Sequence, residues 1–126
     1  MAHIVFSNQC FFYHMLPIIP EPPKNPMPDP DEDPSWYGET LVRYPSSRTL
    51  VSLNNGHGFK ARAELGHIMN SLATRLFARQ EGLPGTIPPS TDMVLEYLDK
   101  LNNWFVSLPH CLTAAEIVFP SQLKIQ

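Results

Sequence analysis

Residues 58–80 read GFKARAELGHIMNSLATRLFARQ, and this stretch decides the fold class. Leu65, Ile68, Met69, Leu72, Leu76 and Phe77 recur at three- and four-residue spacing, the period of one buried face of an α-helix. Lys60, Arg62, Arg75 and Arg79 fall largely off that stripe. Gly82-Leu83-Pro84-Gly85 closes the pattern, since neither glycine nor proline sustains a helix. Upstream, Asn54-Asn55-Gly56-His57-Gly58 reads as a loop leading into it.

A second helical pattern follows. Ser90-Thr91-Asp92 offers hydroxyls to cap a helix and an acid for its first turn. Val94, Tyr97, Leu98, Leu101, Phe105 and Leu108 then form an apolar face, and Pro109 stops it. Thr113-Ala114-Ala115-Glu116 has capping-box spacing, but Pro120 leaves room for one turn at most. Pro120 to Gln126 reads as the first turns of a further helix, with proline at its first position. A helix ending after two turns is marginal alone, which predicts that the chain is truncated there.

The amino-terminal third has a different character. Residues 1–16 carry Ile4, Val5, Phe6, Phe11, Phe12, Tyr13, Met15 and Leu16, an apolar segment that calls for a covering partner. Eight of the chain's 14 prolines then fall between Pro17 and Pro34, in PIIPEPPKNPMPDPDEDPS. Proline removes a backbone donor and turns its predecessor away from helix, so residues 17–35 read as an extended acidic connector. Residues 36–53 mix aromatic and aliphatic side chains with turn formers at Gly38 and Pro45-Ser46-Ser47. Extended chain or short surface turns are expected there.

With 126 residues, 43% hydrophobic, the chain is long enough for one small core. A net charge of -3 argues against binding nucleic acid by overall charge. From Arg43 to Arg79 six basic residues stand against Glu64, while residues 21–39 carry six acids against Lys24. Two such opposite patches more readily satisfy one another than a phosphate backbone. Two cysteines, Cys10 and Cys111, make no disulfide framework, and no long apolar run marks a membrane span or leader peptide.

The chemistry-bearing residues do not assemble into a known site pattern. Cys10, His14, His110 and Cys111 could supply four zinc ligands, but lack paired C-x2-C spacing. The acids Asp29, Asp31, Glu32 and Asp33 lack the glycine turn and distal bidentate acid of a calcium loop. Gly56-His57-Gly58 lacks the context of a phosphate-binding loop, and no serine sits in a nucleophile motif. Enzymatic activity, a bound cofactor and a metal are therefore not expected.

From residue 17 onward, the order of three stretches resembles the middle regulatory region of fungal binuclear zinc-cluster transcription factors, in particular the nitrogen-assimilation-factor-like group. The stretches are PIIPEPPKNPMPDPDEDPSWYGETLVRYPSSRTLV, FKARAELGHIMNSLATRLFAR and VLEYLDKLNNWFVSLPHCLTAAEIVFPSQLKIQ. The acidic proline run into Trp36-Tyr37-Gly38-Glu39 and the segment from Leu101 through Trp104 to Leu108-Pro109 carry the likeness. The resemblance implies an all-α fold, a partial helical domain over 36–126 with helices near 58–80 and 91–108 and a truncated one from 120, behind the acidic connector. It implies a nuclear regulator acting through the rest of a longer factor or a coregulator. Zinc and DNA would belong to a six-cysteine cluster that these residues do not contain. Leu65, Ile68, Met69, Leu72, Leu76, Val94, Leu98, Leu101 and Phe105 are the candidate packing or partner face. The alternatives are a non-functional truncated product and a stand-alone helical interaction module.

Overall fold

The computed structural model describes Tyr13, Glu21 and residues 25–43, 49–77 and 88–113. In chain order these form a 3-10 turn over Pro34–Tyr37, strands β1 (Leu41–Arg43) and β2 (Leu50–Ser52), helices α1 (Asn55–Phe77) and α2 (Thr91–Val106), and a 3-10 turn over His110–Leu112. The chain divides into two compact units, one of Pro26–Arg62 with Leu108–Gln126, the other of Met1–Asn25 with Ala63–Ser107.

The expectation of an all-α fold is corrected by the sheet. β1 and β2 pair antiparallel, with Leu41 opposite Ser52, Val42 opposite Val51 and Arg43 opposite Leu50. The Leu53 amide adds a bond to the Thr40 carbonyl at 3.3 Å. Each strand is three residues long, too short for alternation to stand out in the sequence. Their pairing is made between segments separated in the chain, so local pattern could suggest extended backbone there but not a ladder.

Acidic side chains shape the first unit. Asp29 Oδ1 accepts from the Asp31 amide at 3.0 Å, making an Asx turn in the proline run. Asp33 Oδ1 accepts from Ser35 Oγ at 2.8 Å and from the Trp36 amide at 3.3 Å, capping the first 3-10 turn. That turn ends at Gly38, whose φ of 65° is left-handed backbone suited to glycine. The Tyr37 hydroxyl donates to the Pro28 carbonyl, tying the turn back to the proline run. Burial, then the charges of Asp29 and Asp33, push the Tyr37 hydroxyl above its ordinary pKa.

Glu39 starts α1. Its carboxylate accepts from Ser52 Oγ at 2.6 Å, the Asn54 amide at 2.8 Å and the Asn55 amide at 2.6 Å. The two amides are donors that a helix start leaves without an intrahelical partner, and an anion there also meets the positive end of the helix dipole. Burial raises the Glu39 pKa, but the bonds from Ser52, Asn55, Asn54 and Gly56 outweigh it and hold the carboxyl below its ordinary value. The segment read as a loop therefore becomes helix from Asn55, directly after Asn54 at a φ of 54°.

Gly56 lies against the proline run. A Cβ there would sit 2.8 Å from Pro30 Cβ and 2.9 Å from Tyr37 Cδ2. Pro30, Gly56 and Gly58 are buried, as are Ala61 and Leu112 of the same unit. Tyr37 stands 6.0 Å from Phe59, centroid to centroid. Gly56 in the first helical turn thus allows the helix end to approach the turn closely, where a side chain would not fit.

Gly56→Ala tests this contact. Alanine exceeds glycine in helix propensity by about 1 kcal/mol, so without the clash the change would stabilise; overpacking should instead cost about 1–3 kcal/mol, read from the denaturant midpoint. Glu39→Ala should cost about 1 kcal/mol at pH 7. Because the folded Glu39 pKa is lowered, its contribution is present above its unfolded pKa and disappears as pH falls through the folded one. The stability gap between wild type and Glu39→Ala should accordingly narrow below about pH 4, and a constant gap would contradict the role assigned to the charge.

Candidate functional site

α2 has two sides, and they are treated differently by the fold. Ser90 caps it, its hydroxyl oxygen accepting from the Met93 amide at 3.2 Å. At the other end the Ser107 hydroxyl donates to the Trp104 carbonyl at 2.8 Å, two residues before Pro109. Between these ends Met93 and Tyr97 are buried, and Leu101 and Trp104 are half-buried. These four follow one another at helical spacing and mark the side turned into the protein.

Tyr97 fixes that side. It is only 3% exposed, and its hydroxyl is 2.7 Å from the Ser71 hydroxyl of α1. The Lys100 ammonium lies 4.6 Å and the Arg75 guanidinium 5.5 Å from its ring centroid, both within cation–π range. Glu96 joins the two cations, 2.6 Å from Arg75 Nη1 and 2.6 Å from Lys100 Nζ. The hydrogen bonds from Lys100 and Arg75 hold the Glu96 carboxyl below its ordinary pKa, and Glu96 raises both of theirs. These charges are in water, so their energetic weight is small. Their geometry nevertheless sets which way α2 is rolled.

The adjoining flank of the helix carries large apolar residues in solvent. Val94, Leu95, Leu98, Phe105 and Val106 are all exposed, from 52% at Leu98 to 83% at Val106. At about 100° per residue, the apolar positions of α2 from Met93 to Val106 span roughly 220°, about twice the stripe of an ordinary surface helix. One packing contact cannot cover such an arc. A contiguous exposed apolar patch of this kind marks a contact surface.

The nine candidate residues divide accordingly. Leu65, Ile68, Met69, Leu72 and Leu76 on α1, with Leu101 on α2, are half-buried; Val94, Leu98 and Phe105 are exposed. On α1 the more deeply buried line is made of small residues, Ala63, Gly66, Asn70 and Ala73, with Ala73 fully buried. Their three- and four-residue spacing was present in the sequence, but hydrophobic size directed attention to the leucines. Leu95 and Val106 were likewise missed, although the width of the α2 arc would have included them.

Other chemical candidates resolve into structural roles. Asp31 is 3.2 Å from His57 Nε2, with its own side chain 81% exposed. Gly56-His57-Gly58 forms the first turn of α1. Burial, with the nearby charges of Asp31 and Glu39, pushes the Cys111 thiol up, away from thiolate chemistry. Among the described residues no three His, Cys, Asp or Glu side chains converge on a metal site, and no helix is long and apolar enough to cross a membrane. Cys10, His14 and the segment from Ala114 lie outside the described residues.

Comparison with protein-family models, with curated proteins and with solved structures finds no match to this chain.

The two sides of α2 should respond differently to truncation. Tyr97→Ala should cost about 3–5 kcal/mol, whereas Leu98→Ala, starting from a half-exposed side chain, should cost well under about 1 kcal/mol. Equal losses in chemical denaturation would show that the exposed side is packed after all.

Proposed function

We propose that this chain works as a protein-contact module, and that its place is in the regulatory region of a fungal zinc-cluster transcription factor. The observation that carries the first half is the exposed apolar flank of α2, adjoining a side already engaged by Met93 and Tyr97. Regulatory regions act by contact with the rest of their own protein or with a coregulator, and such contacts need apolar surface held in a fixed orientation. The Tyr97 cluster supplies that orientation.

The second half rests on the sequence resemblance over the acidic proline run and the two helical stretches. The acidic run contributes turns and a cap at Asp29 and Asp33, while Glu39 beyond it caps α1, so these acids act as local structure formers. With two cysteines the chain cannot supply a six-cysteine zinc cluster. Reading DNA would therefore fall to another domain, and the chain's own contribution would be made in the nucleus through protein contacts. Neither catalysis nor a cofactor enters this reading.

A tethering assay tests it. Fused to a heterologous DNA-binding domain in a fungal cell, the full 126-residue chain should change expression of a reporter carrying the matching site. Leu98→Glu should abolish that change while the fusion remains nuclear and equally abundant. A reporter that responds to neither fusion, or to both alike, would count against a regulatory contact through this face.

A further inference from the structure

Asn55 and Gly56 open α1, and they form the one asparagine–glycine pair in the chain. Such a pair carries its own chemistry. The glycine amide nitrogen can attack the asparagine side-chain carbon through a five-membered ring, and glycine offers no Cβ to obstruct the approach. The other asparagines are followed by Gln9, Pro26, Asn55, Ser71, Asn103 and Trp104. Asn55 is exposed, so water reaches its carboxamide.

The fold holds the two reacting groups away from one another. Asn55 is the first residue of α1, and the Gly58 amide closes its first turn on the Asn54 carbonyl at 3.0 Å. Ring closure needs the Gly56 nitrogen swung round to the Asn55 side chain, by rotating ψ out of its helical value. Several contacts oppose that rotation. The Gly56 amide donates to the Glu39 carboxylate, as does the Asn55 amide at 2.6 Å. The Asn55 side-chain nitrogen donates to the Gly38 carbonyl at 3.3 Å. Gly56 itself is buried against Pro30 and Tyr37. Of these contacts, the one with Glu39 engages the attacking nitrogen directly.

We propose that Asn55–Gly56 is a site of spontaneous covalent modification kept latent by the Glu39 cap. When the cap opens, the Gly56 nitrogen gives up its proton and bonds to Asn55 Cγ. The bond from Cγ to Nδ2 breaks, and Nδ2 leaves with that proton as ammonia. Water then adds to either carbonyl of the succinimide ring. Opening at one gives aspartate; opening at the other gives isoaspartate, whose main chain runs through Cβ and Cγ. Water is the only co-reactant. Both products put a new carboxylate beside Glu39, and isoaspartate also lengthens the main chain within the first turn. A cap that has opened and reacted does not close as before. The pair is thus a slow, one-way switch on the start of α1, and it is independent of what α2 meets.

The test is site-resolved mass spectrometry of the full chain after days in neutral buffer, following the mass gained when a carboxamide becomes a carboxylate. Asn70, which precedes Ser71 on the buried line of the same helix, is the internal reference. Wild-type Asn55 should react more slowly in buffer than in guanidinium chloride. Glu39→Ala should speed Asn55 by roughly fivefold to thirtyfold, the factor for loss of one cap, and leave Asn70 as in wild type. If Glu39→Ala speeds both sites, the helix as a whole has opened and Glu39→Gln, which keeps an oxygen acceptor, becomes the deciding variant. Asn55 alone should then be faster. Equal wild-type rates in buffer and denaturant, an Asn55 rate unchanged in the deciding variant, or Glu39→Gln speeding Asn55 and Asn70 together overturns the inference.

Discussion

The carboxylate of Glu39 at the start of α1 is the constraint on which the described structure turns. A helix needs something to satisfy its first amides, and here the cap is delivered from a residue sixteen positions upstream of Asn55. The hairpin of β1 and β2 intervenes between them, and Ser52 at its end donates to the same carboxylate. Cap, hairpin and helix start are thus one arrangement. Because the amides of Asn54 and Asn55 are satisfied, two glycines and a histidine that favour a loop in isolation are held in the first turn of a 23-residue helix.

What lies along that helix follows from its phase. Ala63, Gly66, Asn70 and Ala73 form its buried line, and small residues on a buried line permit close packing. Farther along, Ser71 and Arg75 reach Tyr97 and Glu96 of α2. Tyr97 is engaged at its hydroxyl by Ser71 and at its ring by two cations, so α2 is held at both the tip and the face of one side chain. The apolar arc of α2 is wider than this contact, and its remainder faces water. A contact surface arises here from a mismatch between how much of a helix is apolar and how much the chain itself covers.

Legibility in the sequence varied with the range of the interaction responsible. The α2 cap at Ser90 and its end before Pro109 are local features and were readable from residue types alone. The apolar periodicity of α1 was equally plain, though the start of the helix was not, because its cap is non-local. The hairpin went unread for the same reason. Among the candidate site residues, Leu98 and Phe105 belong to the exposed face, while Leu101 and the α1 leucines are partly covered. Hydrophobic periodicity identifies an apolar face without distinguishing the covered half from the open one.

The sequence by itself determined that two amphipathic helices form, because hydrophobic periodicity acts within a few residues. Tertiary structure alone decided where α1 begins, that β1 and β2 pair, and which half of the α2 arc remains in water. Those outcomes depend on groups distant in the chain, the Glu39 carboxylate above Asn55 and the Tyr97 ring between Arg75 and Lys100. Neither meeting can be inferred from spacing, because both depend on the path of the backbone between the partners.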